Sequence, residues 1–246
     1  MDEKNNNSKL IKKKKFISVV IAALNEEKNI KNLTERLIKI LENYNYEIIY
    51  SIAGKDKTLD ELKGLKNKNI KIIYSESPEG LGIDFKKGFK NISEKADYVI
   101  TMDADLNHQP EEIPSLLEKA EDYDIVIGSR WIKGGKVEFL PLWKRAISGL
   151  TNYVFYIITE LNIKDKTSGF RIYKKEAIDR LYKEYKSKNF EFLVEMLLIA
   201  QKMKMGIIEV PITFKYRLHG KSKFRFRMSL GYLKLLINSI LYKVDN

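Results

Sequence analysis

The 246-residue sequence has no cysteine and only two histidines, His108 and His219. Without cysteine there can be no disulfide scaffold, thiolate-held zinc, iron–sulfur cluster or thiol nucleophile. Two histidines are too few for most hydrolytic zinc centres. Long apolar runs are missing as well. The longest, Phe16 to Leu24, is nine residues with Ser18 inside it, about half of the ~18 that a spanning helix needs. The sequence therefore predicts a chain that does not cross a membrane by itself. Its first fifteen residues, MDEKNNNSKLIKKKK, lack the apolar centre of a secretory signal and read as a solvated basic arm, 1–15, on a cytoplasmic protein. Arginine is also scarce, supplying eight of 45 basic residues. Where lysine is the default cation, each retained arginine is a candidate for planar, bidentate recognition of phosphate or carboxylate.

What is present fits one globular domain: 44% hydrophobic and 32% charged residues, with a net charge of +12. That charge predicts attraction to nucleic acid, to phosphorylated ligands or to an anionic membrane surface. A nonenzymatic nucleic-acid-binding module would account for it, but no RRM or KH signature is present and the charge is mostly scattered lysine. No nucleic-acid partner is expected.

From Phe16, apolar β-branched runs alternate with segments of helical period: FISVVIAAL, a helix from about Glu26 to Leu41, EIIYSI, a helix from Leu59, IKIIYS, a helix from Asp84 to Ile92, YVITMD, a helix from Glu111 to Ala120, and DIVIGS. This predicts an α/β fold with a doubly wound, mostly parallel sheet and helices on both faces, whose ligands gather beyond the carboxyl ends of the strands. The second half predicts helices over 142–159, 175–185 and 190–203, a strand over 170–173 and the strand IIEVPITFKY. No Pro-, Gly- or Ser-rich linker divides the halves, so 16–227 reads as one domain. Residues 228–246 form an amphipathic helix suited to core, partner or membrane contact.

The sharpest feature is TMDADLNHQPEE, where an apolar strand runs into Asp103 and Asp105. In an extended chain residues i and i+2 point the same way, so the two carboxylates would face one spot. Their repulsion calls for a cation. A hard divalent ion, Mg²⁺ or Mn²⁺, binds through one or two carboxylates together with substrate phosphates, which predicts a diphosphate-bearing ligand. The competing reading makes Asp103 a strand end and Asp105 and Asn107 caps of the following helix.

VITMDADLNHQPEEIPSLL resembles the metal-binding strand and loop of glycosyltransferase family 2, in the branch similar to dolichyl-phosphate mannose synthase. VVIAALNEEKNI, PEGLGIDFKKGF, DIVIGSRW, KRAIS, TSGFRIYKKEAI, FEFLVEML and RLHGKSK follow in that family's order. The resemblance implies a GT-A fold, with Asp103, Asp105 and Asn107 holding the metal and donor diphosphate, Asn25 and Glu26 lining the nucleoside pocket, and Asp56, Gly80 and Gly82 beside the donor. Asn25 to Glu27 also read as a helix cap with first-turn acids, and the two glycines as a plain turn. Relatives usually carry an acidic pair after the second strand, where this chain has Ser51 and Ile52 and retains only Asp56 and Thr58. The identity of the base, GDP- or UDP-linked, is left open by that departure.

By the same resemblance Arg130, Arg145, Ser148, Arg217 and Lys223 line a lipid-phosphate pocket, with Asp105, Arg130 and Arg145 serving transfer. Asp165 and Glu195 stand in family-like positions that imply orienting the sugar or a cation, and Glu195 reads equally as the cap of a buried network. The implied activity is inverting transfer of a sugar, mannose or another hexose, from a nucleotide sugar to polyprenyl or dolichyl phosphate. The enzyme would sit peripherally on the cytoplasmic membrane face, alone or with a small membrane subunit. A phosphate monoester is already largely a dianion at neutral pH, so no strong base is required. The rival readings are a family-2 transferase with a hydroxyl acceptor, which would need such a base, and a degenerate transferase serving as a binding subunit.

Overall fold

The computed structural model describes residues 14–139, 142–216 and 231–237, with the backbone alone over 142–148 and at 151. Of the expected basic arm, residues 1–13 lie outside the described residues. Lys14 and Lys15 are not loose. Lys14 Nζ donates to the Glu42 carbonyl, and the Lys15 carbonyl accepts from Asn45 N.

Seven strands form the main sheet: β1 (Phe16–Leu24), β2 (Asn45–Ala53), β3 (Ile70–Ser75), β4 (Tyr98–Asp103), β5 (Ile125–Ser129), β7 (Arg171–Lys174) and β8 (Ile207–Pro211), in the order β3-β2-β1-β4-β7-β5-β8. All neighbours are parallel except β7, which runs against both β4 and β5. The expected mostly parallel α/β architecture is therefore present. Strands covered on both faces read as continuous apolar runs rather than as alternation, which is why FISVVIAAL has so little polar content.

Each face carries its own core. Ile17, Val19 and Ile21 of β1 pack with Leu33 and Leu37 of α1 (Ile30–Leu41) and with Leu116 of α4 (Ile113–Ala120). Val20 lies on the other face with Ile49 and Val99, under Phe85 and Phe89 of α3 (Leu81–Phe89) and near Met196 of α7 (Phe192–Lys202). In α1 the buried residues Ile30, Leu33, Leu37 and Leu41 recur at three- and four-residue steps, so one stripe faces the sheet.

Several boundaries differ from expectation. α1 starts at Ile30, because residues 26–29 close a turn in which both Asn29 N and Ile30 N donate to the Glu26 carbonyl. α3 starts earlier, at Leu81. The run IIEVPITFKY is not one strand: β8 stops at Pro211, whose missing N–H cannot continue a ladder. Beyond it, β9 (Thr213–Lys215) pairs with β6 (Lys136–Glu138) in a separate two-stranded sheet.

The remaining helices are α2 (Thr58–Gly64), α5 (Leu142–Thr159) and α6 (Lys175–Glu184). α5 exposes Leu150, Tyr153 and Ile157 along one side, while Phe155 on another side is buried. Residues 231–237 are helical. The Tyr232 ring meets Phe155 edge-on at 5.9 Å, and Gly231 lies against the Glu191 carboxylate. This part of the expected terminal helix packs on the body, yet Leu233 and Ile237 remain exposed. Among the described residues no helix is long and apolar enough to cross a membrane.

Candidate active site

Polar residues cluster at the carboxyl end of β4. β4 ends at Asp103, so the extended-chain geometry expected to align Asp103 with Asp105 does not reach Asp105. The chain bends there, Leu106 takes a left-handed φ of +63°, and Asp105 is placed by the turn. Its Oδ1 accepts from Asn107 N at 3.2 Å and its Oδ2 from Asn107 Nδ2 at 3.0 Å. The capping alternative fails, because the following 3₁₀ turn, Pro110–Glu112, has no side-chain cap. Asp103 keeps about a third of its side chain exposed. Gly169 leaves room for it, since a Cβ there would stand 3.1 Å from Asp103 Oδ1.

Asn107 Oδ1 is buried and has no hydrogen-bond partner among the described residues. A buried amide oxygen beside a carboxylate is a donor set suited to a hard cation. Among the described residues no group of three or more His, Asp or Glu side chains stands ready to enclose a metal. A cation here would therefore need oxygens from its ligand, as Mg²⁺ and Mn²⁺ complexes of nucleoside diphosphates provide.

His108, not anticipated as a site residue, supports the cluster from below. It is buried, stacked on Phe170 and edge-on to Phe214, and its Nδ1 accepts from Asp103 N at 3.3 Å. Burial lowers its pKa to about 4, outweighing Asp105. The ring is then neutral at pH 7 with its proton on Nε2, and it orients the backbone of Asp103 rather than pairing with its carboxylate. An unfolded histidine takes up its proton near pH 6.5, so this burial favours the folded state above that value and costs stability as pH falls from about 6.5 to about 4. The penalty is on the order of 3 kcal/mol. His108→Gln should flatten the decline in urea midpoint across that window; an unchanged slope would contradict the neutral-ring assignment.

Residues at the ends of β1 and β2 clasp each other. Asn25, at φ +52°, turns its Oδ1 to Lys55 N and packs over Gly54, a position where a Cβ would collide with it. Glu26 is buried, with Oε2 accepting from Asn29 Nδ2 at 2.7 Å and its N donating to Thr58 Oγ1 at 2.8 Å. Asp56 accepts from Glu27 N, Thr58 N and Thr58 Oγ1. These bonds give Asp56 a structural task joining two loops. Asn25 is not the cap of α1, a position held by Asn29. Ser51 and Ile52 are buried within β2.

Gly80 and Gly82, expected beside the donor, instead meet protein backbone. A Cβ on Gly80 would strike the Lys188 carbonyl, and one on Gly82 the Ser187 carbonyl. Gly80 also takes φ +129°, which side chains rarely adopt. Glu195 fixes the far side of this contact by accepting from Lys186 N and Ser187 N.

The arginines are used as planar forks, but the partners seen are within the protein. Arg36 forms a bidentate pair with Glu111. Arg130 donates from its N, Nε and Nη2 to Asp165, with Nη2 also reaching Thr167 Oγ1 at 3.0 Å. Asp165 is fully buried. Burial works against its charged form, but Arg130 outweighs burial and holds the carboxyl below its usual range. Asp165 thus orients the Arg130 guanidinium. Two faces of the Arg130 fork are committed, so it could offer an anion only its remaining Nη1 edge.

Arg171, which lies in the TSGFRIYKKEAI motif, is fully buried. It donates to the carbonyls of Ser168, Lys166 and Leu193 at 2.8 Å each, holding the 165–169 loop that carries Asp165 and Gly169. Lys166 of that loop is tied to α5, its N donating to Asn152 Oδ1 and its Nζ to the Asn152 carbonyl. Burial lowers its pKa to about 8. Arg145 and Ser148 stand in α5, but their side chains lie outside the described residues, as do Arg217 and Lys223 entirely.

The sequence profile described as glycosyl transferase family 2 matches residues 18–182, two thirds of the chain, including Asp103, Asp105 and Asn107. The chain belongs to glycosyltransferase family 2. It is 36% identical over 222 residues to a dolichol-phosphate mannosyltransferase of Pyrococcus furiosus, covering 89% of this chain and 62% of that protein. It is 38% identical over 128 residues to an undecaprenyl-phosphate mannosyltransferase of Micrococcus luteus, covering 52% of this chain and 53% of that one. The chain thus spans about three fifths and about half of these two relatives. Among solved structures, glucosyl-3-phosphoglycerate synthase from Mycobacterium tuberculosis, in complex with Mn²⁺, UDP and phosphoglyceric acid, superposes with a TM-score of 0.68 at 19% identity. That superposition covers 93% of this chain and 78% of the other. The fold of this family-2 member is the GT-A fold.

Proposed function

We propose that this family-2 glycosyltransferase moves a hexose, mannose in the first instance, from a GDP- or UDP-linked donor to a polyprenyl phosphate such as dolichyl phosphate. The observation that carries the donor half is the Asp103, Asp105 and Asn107 turn, whose Asn107 Oδ1 has no partner among the described residues. These three residues would hold Mg²⁺ or Mn²⁺ together with the donor diphosphate. Bound there, the cation supplies neutralisation of the charge that grows on the departing nucleoside diphosphate. The structurally similar synthase, crystallised in complex with Mn²⁺ and UDP, supports this choice.

Two relatives named for prenyl-phosphate acceptors support the acceptor half. A phosphate monoester needs no general base at neutral pH, so the chain's own task is to orient it. Arg130, Arg145, Ser148, Arg217 and Lys223 are assigned that task, with Asp165 and Arg171 holding Arg130 and its loop in place. An acceptor oxygen bonds to the sugar C1 as the bond from C1 to the donor diphosphate oxygen breaks, which inverts the anomeric centre. The exposed apolar row Leu150, Tyr153 and Ile157 lies on the same helix as Arg145 and Ser148. It suits a lipid-bearing acceptor drawn from a membrane surface, taken here to be the cytoplasmic face, with or without a small membrane subunit.

The test offers purified protein GDP-mannose, GDP-glucose, UDP-glucose and UDP-N-acetylglucosamine with a polyprenyl phosphate and either cation, and weighs the lipid product. Glycosyl-phosphoryl-lipid formed only with a divalent cation is expected. Transfer to a free sugar hydroxyl but not to the lipid phosphate would reject the acceptor.

A further inference from the structure

Asp84 is an acid for which the chemistry above has no use. It is only 7% exposed, in the first turn of α3, and its Oδ1 is buried with no hydrogen-bond partner among the described residues. Burial raises its pKa to about 6, against the pull of Lys87. The other buried acids at this end of the sheet are engaged: Glu26 Oε2 by Asn29, Asp105 by Asn107 and Asp165 by Arg130. An unpaired carboxyl in such a place costs stability, so its retention points to a ligand.

The strand register locates it. Ala22 of β1 pairs with Ser51 of β2 and with Asp103 of β4, so these three side chains share one row and one face of the sheet. Val20, two residues back, lies in the core on that face, and Gly88 of α3 rests directly on it. α3 follows β3 and runs back against the strands. Asp84, one helical turn before Gly88, stands about 6 Å nearer the carboxyl ends, over the Ser51–Ala22–Asp103 row. Ser51 Oγ in that row is likewise buried and unpartnered. Two polar groups without partners among the described residues thus share a layer with the Asp103 carboxylate, at the carboxyl end of β2, whose acid, Glu47, lies near its other end.

We infer that Asp84, seconded by Ser51, is a donor-binding residue that accepts a hydrogen bond from the nucleoside of the nucleoside diphosphate, from a ribose hydroxyl or a base N–H. The inference rests on the donor-site reading above and adds its nucleoside end. A carboxylate held apart from protein donors gains its bond only when the ligand arrives, so its free energy goes into affinity rather than into the fold.

The experiment measures binding of GDP, UDP and their 2′-deoxy forms with Mn²⁺ by calorimetry, and melting temperature, for wild type, Asp84→Asn and Asp84→Ala. Expected is at least a tenfold loss of affinity in Asp84→Ala, with a melting temperature equal to or above wild type in both variants. A loss shared by GDP and UDP but absent from the deoxy forms assigns the ribose; a loss confined to one base assigns the base edge. If wild type binds nucleotide and both variants bind all four ligands within twofold of it, the inference is wrong and the donor site stands. A wild type that binds no nucleotide overturns the donor site and this inference together.

Discussion

Asp105→Ala should lower sugar transfer by about a thousandfold while the protein stays folded. Removing one preorganised electrostatic partner of a transition state typically costs 10²–10³ in rate, and Asp105 bears on two such partners. It is assigned as a ligand of the cation, and it also holds Asn107 through both carboxylate oxygens. Asp105→Asn separates these roles, because an amide keeps an acceptor for Asn107 N yet brings no charge. Both variants should lose nucleotide affinity measured with Mn²⁺ and show little change without it. Turnover near wild type in Asp105→Ala, in a properly folded protein, would defeat the metal assignment.

Asp165→Ala should be the most destabilising single change at the site, by about 3–5 kcal/mol, because it strands a desolvated guanidinium. Asp165 is fully buried and takes three hydrogen bonds from Arg130 between 2.6 and 2.9 Å. Arg130→Met strands the carboxylate in turn. The double variant, with neither charge left behind, should be less destabilised than the sum of the singles, a coupling that urea denaturation reads directly. Equal and additive losses would mean that the pair contributes only packing. Transfer should fall in every variant, with the rise in acceptor KM exceeding the rise in donor KM.

The legibility of the sequence followed the physics of each element. Period and β-branched content placed every strand of the main sheet, since buried parallel strands are continuous apolar runs such as FISVVIAAL. The antiparallel sense of β7 has no such signature, because pairing direction is a tertiary choice. Motif order pointed to Asp103, Asp105 and Asn107, although the turn at Leu106, not an extended strand, positions the second acid. The scarcity of arginine did single out forks that bind in a bidentate manner, but composition cannot tell a ligand phosphate from the protein's own Glu111 or Asp165. Gly80 and Gly82 looked like ligand-facing glycines; their need comes from Lys188 and Ser187, more than a hundred residues away in sequence. His108, Arg171 and Asp84 draw their importance from burial, which single-sequence patterns report poorly for polar residues.

The reversed strand β7 also governs how the molecule can be assembled. It lies between β4 and β5, so a chain released before residue 171 would own two separate sheet edges, β3-β2-β1-β4 on one side and β5 awaiting β8 on the other. Its reversal sends the amino end of β7, and with it the 165–169 loop, to the same rim as the carboxyl end of β4. Residues 1–170 alone therefore lack the strand that fills the gap between β4 and β5. The 165–169 loop thus reaches the Asp103 turn only through residues 171–174, the strand that joins β4 to β5.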